Sequence, residues 1–525
     1  MASAVSLHRE PYALAVDARD ARFDGVFFVG ITTTHVYCRP ICPSRIAYDR
    51  HRRFFDSAAA AERAGFRPCL RCRPELAPGR AVVAALSRLA QAAAQRIAAG
   101  ALNGRSVADL ARELGVSDRH LRRALAREVG VSPLELAQTH RLLLAKRLLV
   151  DTDLPMTRVA YGSGFQSLRR FNTAFRAQYG MPPGALRRGA RSAAPARRER
   201  AGPRRDAESL RLTLAYRAPL AWDALLACLQ SDAIPGVEIV APRGRGYART
   251  VRIEGQTGVV SARDDAPDAH IVVDVSASLL PALMPLIAGL RRVFDLDAEP
   301  AVVDAHLAQG GLDALVARCP GVRLPGALDG FEGALRVVLG GRGGKGCLRG
   351  VTAACGEPLE TGVPGLTHLA PTAARVAEAG APRLVGAGVP PRRAERIVAV
   401  ARAVVSGALR LAPGGDPAAT RRALFETCGV SERHATVIVM RALYWPDAFP
   451  ATDRALQRAA GVTSAAALLA RAEQWRPWRA YAAQHLALSS WSCAAPSSRV
   501  LDPPPSPRDR DRHPSLDTGR RRRSR

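Results

Sequence analysis

Two pairs of cysteines constrain this chain more than any other feature. Cys38 and Cys42 stand in YCRPICP, and Cys69 and Cys72 in FRPCLRCRP: a C-x3-C and a C-x2-C separated by 26 residues. Each short pair can clamp one edge of a tetrahedron, so folding the loop back on itself gives an all-sulfur site suited to zinc. Such a site fixes local structure without a large core. It also holds its thiols as thiolates, the nucleophilic form of sulfur. Spacing alone therefore allows a structural zinc knuckle, which it favours, and a reactive cysteine held inside one.

The rest of the composition narrows the setting. At 525 residues the chain is too long for a single core, and three or four domains are expected. No apolar run reaches membrane-spanning length, and the N-terminus lacks the basic-then-apolar pattern of a secretory signal. The other six cysteines (Cys228, Cys319, Cys347, Cys355, Cys428, Cys493) are scattered, which argues for free thiols in a reducing cytoplasm. The formal net charge is +29, pointing to nucleic acid as partner. Nearly all of the positive charge is arginine, an excess that a GC-rich coding sequence also produces; the only lysines are Lys146 and Lys345.

Patterning divides the chain into a multidomain, mainly α fold with α+β parts. Residues 1–78 form a small zinc-bound α/β domain, 79–188 a helical region with two similar units, and 189–208 a basic linker. An α+β segment with strand-like alternation (LRLTLAY, HIVVDV) spans 209–308. A helical domain spans 309–490, and 491–525 is a disordered basic tail. A helix is expected over 81–99, and the Gly-rich run GRGGKGCLRG at 341–350 is expected to be a poor one.

The cysteines sit among aromatic and basic residues. RFDGVFFVGITTTHVYCRPICPSR followed by RRFFDSAAAAERAGFRPCLRCRPE closely resembles the N-terminal domain of the Ada adaptive-response family. The resemblance implies that all four cysteines bind zinc. It also implies that Cys38 irreversibly accepts a methyl group from a methylphosphotriester in DNA. Thr34, Arg45, Arg67 and Arg71 match positions expected near the DNA backbone.

The segment SVADLARELGVSDRHLRRALAREVG has the helix-turn-helix pattern. Ser106 and Ser117 are expected to cap successive helices, with Ala111 at the crossing and Gly115 in the turn; Ser117, Arg119, His120, Arg122 and Arg123 are expected at DNA. A second unit follows in MTRVAYGSGFQSLRRFNTAFRAQYGMPP. Its cap is read as Thr157, with Gln166, Ser167, Arg169 and Arg170 toward the groove and Phe165, Phe171 and Phe175 in the core. Tandem units joined by a helix over 132–150 resemble the AraC-type DNA-binding domain and imply readout of two major-groove segments.

In the second half, RLPGALDGFEGALRVVLG, MRALYWPDAFPATDRAL and WRPWRAYAAQHL resemble the AlkA-type alkyladenine DNA glycosylases of the helix-hairpin-helix superfamily. The catalytic aspartate of that family falls on Asp453; on composition alone it would be a helix cap. Bifunctional relatives carry a lysine in the hairpin where this chain has Arg433, so release of the base without strand cleavage is implied. Gly429 is expected at DNA. The hairpin reads Cys428-Gly429-Val430-Ser431, and serine in place of a second glycine is expected to distort its turn. Arg433, Val437 and Ala487 stand where stacking aromatics are expected.

Together these resemblances imply a cytoplasmic, nucleoid-associated protein with zinc as cofactor and double-stranded DNA and RNA polymerase as partners. It would accept methyl groups at Cys38, activate repair genes, and excise alkylated purines such as 3-methyladenine through Asp453. The alternative favoured by the hairpin and the missing aromatics is a DNA-binding regulator whose glycosylase domain is catalytically impaired. No PCHR-type motif occurs, so direct repair of guanine is not expected.

Overall fold

The computed structural model describes residues 9–79, 87–192, 209–241, 246–265, 267, 269–341 and 343–489. Most of the expected basic linker, the whole tail from 490, and the start of the helix expected over 81–99 lie outside these residues.

The first unit begins with α1 (Arg9–Asp17) and a four-stranded sheet, β1 (Phe28–Ile31), β2 (Val36–Cys38), β3 (Arg52–Phe55) and β4 (Arg67–Pro68), in the order β3-β1-β2-β4. A helix, α2 (Ala58–Arg63), precedes β4. Strand alternation sorts the aromatics onto opposite faces. Phe27, Val29 and Phe54 pack beneath α1 with Cys38, Cys69 and Cys72, while Phe28, Tyr37, Phe55 and Phe66 pack against α2. Gly30 is required where the sheet is crowded: a Cβ there would lie 2.7 Å from the Phe55 ring and 2.8 Å from that of Phe66.

The next unit is α-helical: α3 (Arg88–Ala98), α4 (Val107–Glu113), α5 (Asp118–Glu128), α6 (Pro133–Asp151), α7 (Met156–Gly162), α8 (Leu168–Tyr179) and α9 (Pro183–Ser192). Ser106 caps α4 in a reciprocal capping box with Asp109, Ser117 caps α5, and Ser132 caps α6 with Glu135. Gly115 supplies the left-handed turn, with φ of +71°. The second unit differs from expectation at its start. Pro155, not Thr157, occupies the cap of α7 with no side-chain bond, because Thr157 lies inside the helix. Phe165, Phe171 and Phe175 are core as expected.

That core does not end with the helix-turn-helix. It continues into a five-stranded antiparallel sheet, β5 (Ser209–Ala215), β6 (Glu238–Ala241), β7 (Gly246–Ile253), β8 (Gln256–Asp265) and β9 (His270–Ser276), ordered β5-β9-β8-β7-β6. Helices α10 (Trp222–Ser231) and α11 (Leu283–Val293) complete this layer. Phe171 and Phe175 thus share one apolar cluster with Leu212, Trp222 and Leu283. The expected domain boundary near 189–208 separates segments of sequence but not two cores.

The last unit is helical: α12 (Pro300–Leu307), α13 (Asp313–Arg318), α14 (Gly330–Leu339), α15 (Gly344–Cys355), α16 (Ala373–Gly386), α17 (Pro391–Val405), α18 (Pro417–Glu426), α19 (Glu432–Ala442), α20 (Arg454–Ala459), α21 (Ala465–Ala472) and α22 (Arg479–Ala487). Helix α14 is the buried axis. Its Gly330 passes so close to the Leu411 carbonyl that a Cβ would meet it at 1.8 Å. The Gly-rich run is not the poor helix that propensity suggests. From Gly344 it forms α15, because Cys347, Leu348, Val351 and Cys355 bury one face in the main core. A buried ion network fastens this unit to the sheet: Arg249 donates to Glu332 at 2.6 Å, and Arg336 to Glu238 at 2.5 Å. Cys319 is disulfide-bonded, against the expectation of a free thiol; Cys228, Cys347, Cys355 and Cys428 are free.

Candidate functional sites

The four expected metal ligands converge. The sulfurs of Cys38, Cys42, Cys69 and Cys72 all lie within 4.8 Å of one another. Sheet pairing explains why. Cys38 ends β2 opposite Val29, and the Cys69 amide donates to the Tyr37 carbonyl at 2.9 Å, so the second knuckle continues β4 beside the first. Amides support the sulfurs: Arg39 N–H reaches Cys72 Sγ at 3.3 Å and Arg71 N–H reaches Cys69 Sγ at 3.4 Å. Hydrogen bonding to Cys42 pushes the Cys38 thiol up, and the same contact pulls the Cys42 thiol down. Four sulfurs this close and mostly buried need a cation before all can be thiolates. The donor set is therefore suited to zinc.

The cluster opens on one side. A cleft of about 440 Å³ is lined by Cys38, Cys42 and Cys69 together with Thr34, Arg45 and Arg67. Arg71, also expected at DNA, is exposed but does not line this cleft. The rim also carries the exposed apolar side chains Ile46 and Leu70. Behind the cluster the fold is tied down by contacts that sequence reading missed. Lys146 of α6 is 1% exposed; its ammonium donates to the Cys69 carbonyl at 2.9 Å and to Glu75 at 2.6 Å. Arg73 clamps Asp151, at the end of α6, with two bonds of 2.7 and 2.8 Å. Glu62 accepts from Tyr37 at 3.0 Å and from Thr139 of α6 at 2.6 Å. The scarcity of lysine was the available signal: one of only two in the chain stands mid-helix among leucines, a place where it must find a partner.

The two helix-turn-helix units present the expected cations on their second helices. Arg119, His120, Arg122 and Arg123 of α5, and Gln166, Arg169 and Arg170 at the start of α8, are exposed. Arg122 is paired with Asp118 one turn earlier. Ser117 and Ser167 use their hydroxyls on the His120 and Arg170 amides, so their structural part is capping.

In the last unit, Asp453 caps α20 by accepting from the Ala455 amide at 2.8 Å, and its other oxygen accepts from Arg433 Nε at 2.6 Å. Burial alone would raise this carboxyl; the Arg433 guanidinium and the Ala455 amide outweigh it and hold the group below the usual carboxylate range. The hairpin between α18 and α19 is not distorted. Gly429 takes the left-handed conformation (φ +63°), and Ser431 caps α19 through the His434 amide. Serine in place of glycine thus exchanges flexibility for a cap. Gly429 is exposed at the tip. Ala487 is exposed and Val437 half-buried, so neither offers a stacking ring.

Comparison with known proteins follows the same division. Residues 11–75 match the family described as the metal binding domain of Ada, 110–189 a helix-turn-helix domain, and 211–329 the AlkA N-terminal domain. A probable bifunctional transcriptional activator/DNA repair enzyme AlkA of Mycobacterium tuberculosis is 39% identical over 481 residues, covering 90% of this chain and 94% of that one. DNA-3-methyladenine glycosylase 2 of Escherichia coli is 32% identical over 279 residues, covering 52% of this chain and 95% of that one. The regulatory protein ada of Salmonella typhimurium is 36% identical over 152 residues, 29% of this chain and 41% of that one.

Proposed function

Because the chain belongs to the family of bifunctional transcriptional activator/DNA repair enzymes AlkA, we propose that it detects alkylated DNA through Cys38, activates repair genes through its tandem helix-turn-helix units, and excises alkylated purines through Asp453. The observation that carries this reading is the cysteine cluster opening into a cleft edged by Thr34, Arg45 and Arg67.

Cys38, Cys42, Cys69 and Cys72 would hold zinc, whose positive charge would keep the sulfurs deprotonated at neutral pH. A methylphosphotriester has lost the negative charge of its linkage, so an anionic sulfur can approach it. Cys38 Sγ attacks the methyl carbon; the carbon–oxygen bond breaks and its electron pair returns to the phosphate as a diester anion. The sulfur becomes a thioether. Arg45 and Arg67 hold the flanking phosphates and Thr34 orients the backbone. The cluster thereby loses one negative charge, repels DNA less, and binds promoter DNA more tightly, with Arg119, His120, Arg123, Gln166, Arg169 and Arg170 at the grooves. RNA polymerase is then the downstream partner, in the cytoplasm at the nucleoid.

Excision breaks the bond between C1′ and the purine nitrogen. The electron pair leaves with the base, and positive charge develops on the sugar. The Asp453 carboxylate stabilises that cation and orients the water that attacks C1′. Arg433 cannot act as an amine nucleophile, because its guanidinium stays protonated, so the strand is left intact. Base release from alkylated DNA by the wild type, lost in Asp453→Asn, tests this half; no release by the wild type leaves a regulator that only binds DNA.

A further inference from the structure

The Arg433–Asp453 pair has a geometry that a purely catalytic carboxylate does not need. Both Asp453 oxygens are occupied, one by the Ala455 amide and one by Arg433. An arginine on the carboxylate neutralises the field that would stabilise a developing sugar cation, and adds a positive charge beside it. The two partners are unequally placed: the Asp453 side chain is 16% exposed and that of Arg433 is 47% exposed. Asp453 is fixed at the start of α20, whereas Arg433 sits one turn of chain from the exposed hairpin tip at Gly429. Its surroundings are basic. His434, the next residue, is held down by burial and by the charges of Arg433, Arg396 and Arg393. Glu432, the nearest other carboxylate on α19, faces Arg421 at 3.5 Å. This face therefore brings several arginines together, with one of them spent on Asp453.

We propose that Arg433 is a latch: it masks Asp453 in the free chain and transfers to a backbone phosphate when the hairpin docks on DNA, unmasking the carboxylate beside the flipped nucleotide. The inference rests on the reading of the last unit as a glycosylase. A guanidinium matches carboxylate and phosphate oxygens equally well, so the exchange keeps Arg433 paired throughout. The long, half-exposed side chain makes the swing available, while the capping bond to Ala455 keeps Asp453 in place. The carboxylate is thus exposed to a sugar cation only where DNA is present. Arg433 is a positioning residue in this scheme, acting on the reaction through Asp453.

A double-mutant cycle on DNA binding tests the latch without relying on turnover. The full chain is titrated onto a fluorescent duplex with one abasic-site analogue, in the presence of unlabelled undamaged duplex that absorbs the other DNA-reading elements. Asp453→Asn frees Arg433 for phosphate and should tighten binding about fivefold, the low end of ordinary coupling between sites. Arg433→Gln should weaken binding and reduce the slope of log affinity against log salt by about 0.9, one phosphate contact. Combined with Arg433→Gln, Asp453→Asn should change affinity less than about twofold, because there is no guanidinium left to release. Arg433→Lys should restore the coupling. If Asp453→Asn tightens binding equally with and without Arg433, it acts only by removing a negative charge and the latch is wrong; unchanged affinity and salt slope in Arg433→Gln also overturn it. Base release is scored separately. A chain that shows the coupling but releases no base keeps the latch and loses the glycosylase reading, and a chain that releases base with additive binding effects does the reverse.

Discussion

Replacing Lys146 by methionine should loosen the metal knuckle from the helix that joins the two DNA-reading units. The side chain is 1% exposed and its ammonium has two partners, the Cys69 carbonyl at 2.9 Å and Glu75 Oε2 at 2.6 Å. Methionine keeps the volume, so the loss is electrostatic rather than a cavity. The Cys69 carbonyl loses its side-chain donor, which costs about 1–3 kcal/mol for a buried acceptor. Stripping one partner from a buried ion pair costs about 3–5 kcal/mol when the other charge is orphaned. Here the cost is smaller, because Arg73 still donates to Glu75 Oε1 at 2.8 Å. A total near 3 kcal/mol follows. Denaturant melts of the zinc-loaded chain should show that loss, and a chelator should strip zinc faster as Cys69 gains freedom. Adding Glu75→Gln should recover the part that comes from the orphaned charge, since a neutral amide needs one cation fewer. Melts and zinc loss indistinguishable from wild type would refute the reasoning, as would a double variant weaker than the single one.

Glu62, Asp453 and Gly429 give further outcomes. Burial pushes the Glu62 carboxyl up to about 7, against the bonds from Thr139 and Tyr37 and the charge of Lys146 that pull it down. A raised acid favours the folded state while protonated, so this contribution is full below pH 4.5 and lost as pH rises to about 7. Glu62→Gln should therefore remove a decline of about 3 kcal/mol in that window, seen as pH-dependent melts. Asp453→Asn should lower single-turnover base release about 10²–10³-fold. Because Arg433 and the Ala455 amide outweigh burial in the free chain, the acid limb of kcat/KM for release, which reports the free chain, should lie below the ordinary carboxylate range, and Arg433→Gln should move that limb to higher pH. Gly429→Ala places a side chain at φ +63° and should cost about 1–3 kcal/mol, weakening DNA binding by the hairpin while leaving Cys38 reactivity intact.

Local rules made much of the molecule readable. The cysteine spacing foretold the cluster, the serines before apolar runs foretold the caps of α4 and α5, and Gly115 foretold its turn. What stayed hidden was decided by distant partners. Helix α15 forms in spite of its glycines because Cys347, Leu348 and Val351 are drawn into a core built by residues far along the chain. Thr157 resembles a cap by type, but the chain enters α7 two residues earlier, through Pro155. Ser431 looked like damage to a glycine turn and is a cap, which depends on the orientation of α19 rather than on composition. Asp453 could be assigned only by resemblance, and its pairing with Arg433 joins residues on two different helices. The shared core of the second helix-turn-helix and the five-stranded sheet has no local signature either, since each half is patterned like an independent domain.

The account turns on Cys38 as the reactive member of the quartet. The zinc-loaded chain should be incubated with methylated double-stranded DNA, digested, and read by peptide mass spectrometry, with promoter affinity measured on the same sample. The account predicts one methyl group on Cys38, none on Cys42, Cys69 or Cys72, tighter promoter binding, and loss of both effects in Cys38→Ala. Methyl label on no cysteine, or spread across the four, would contradict it.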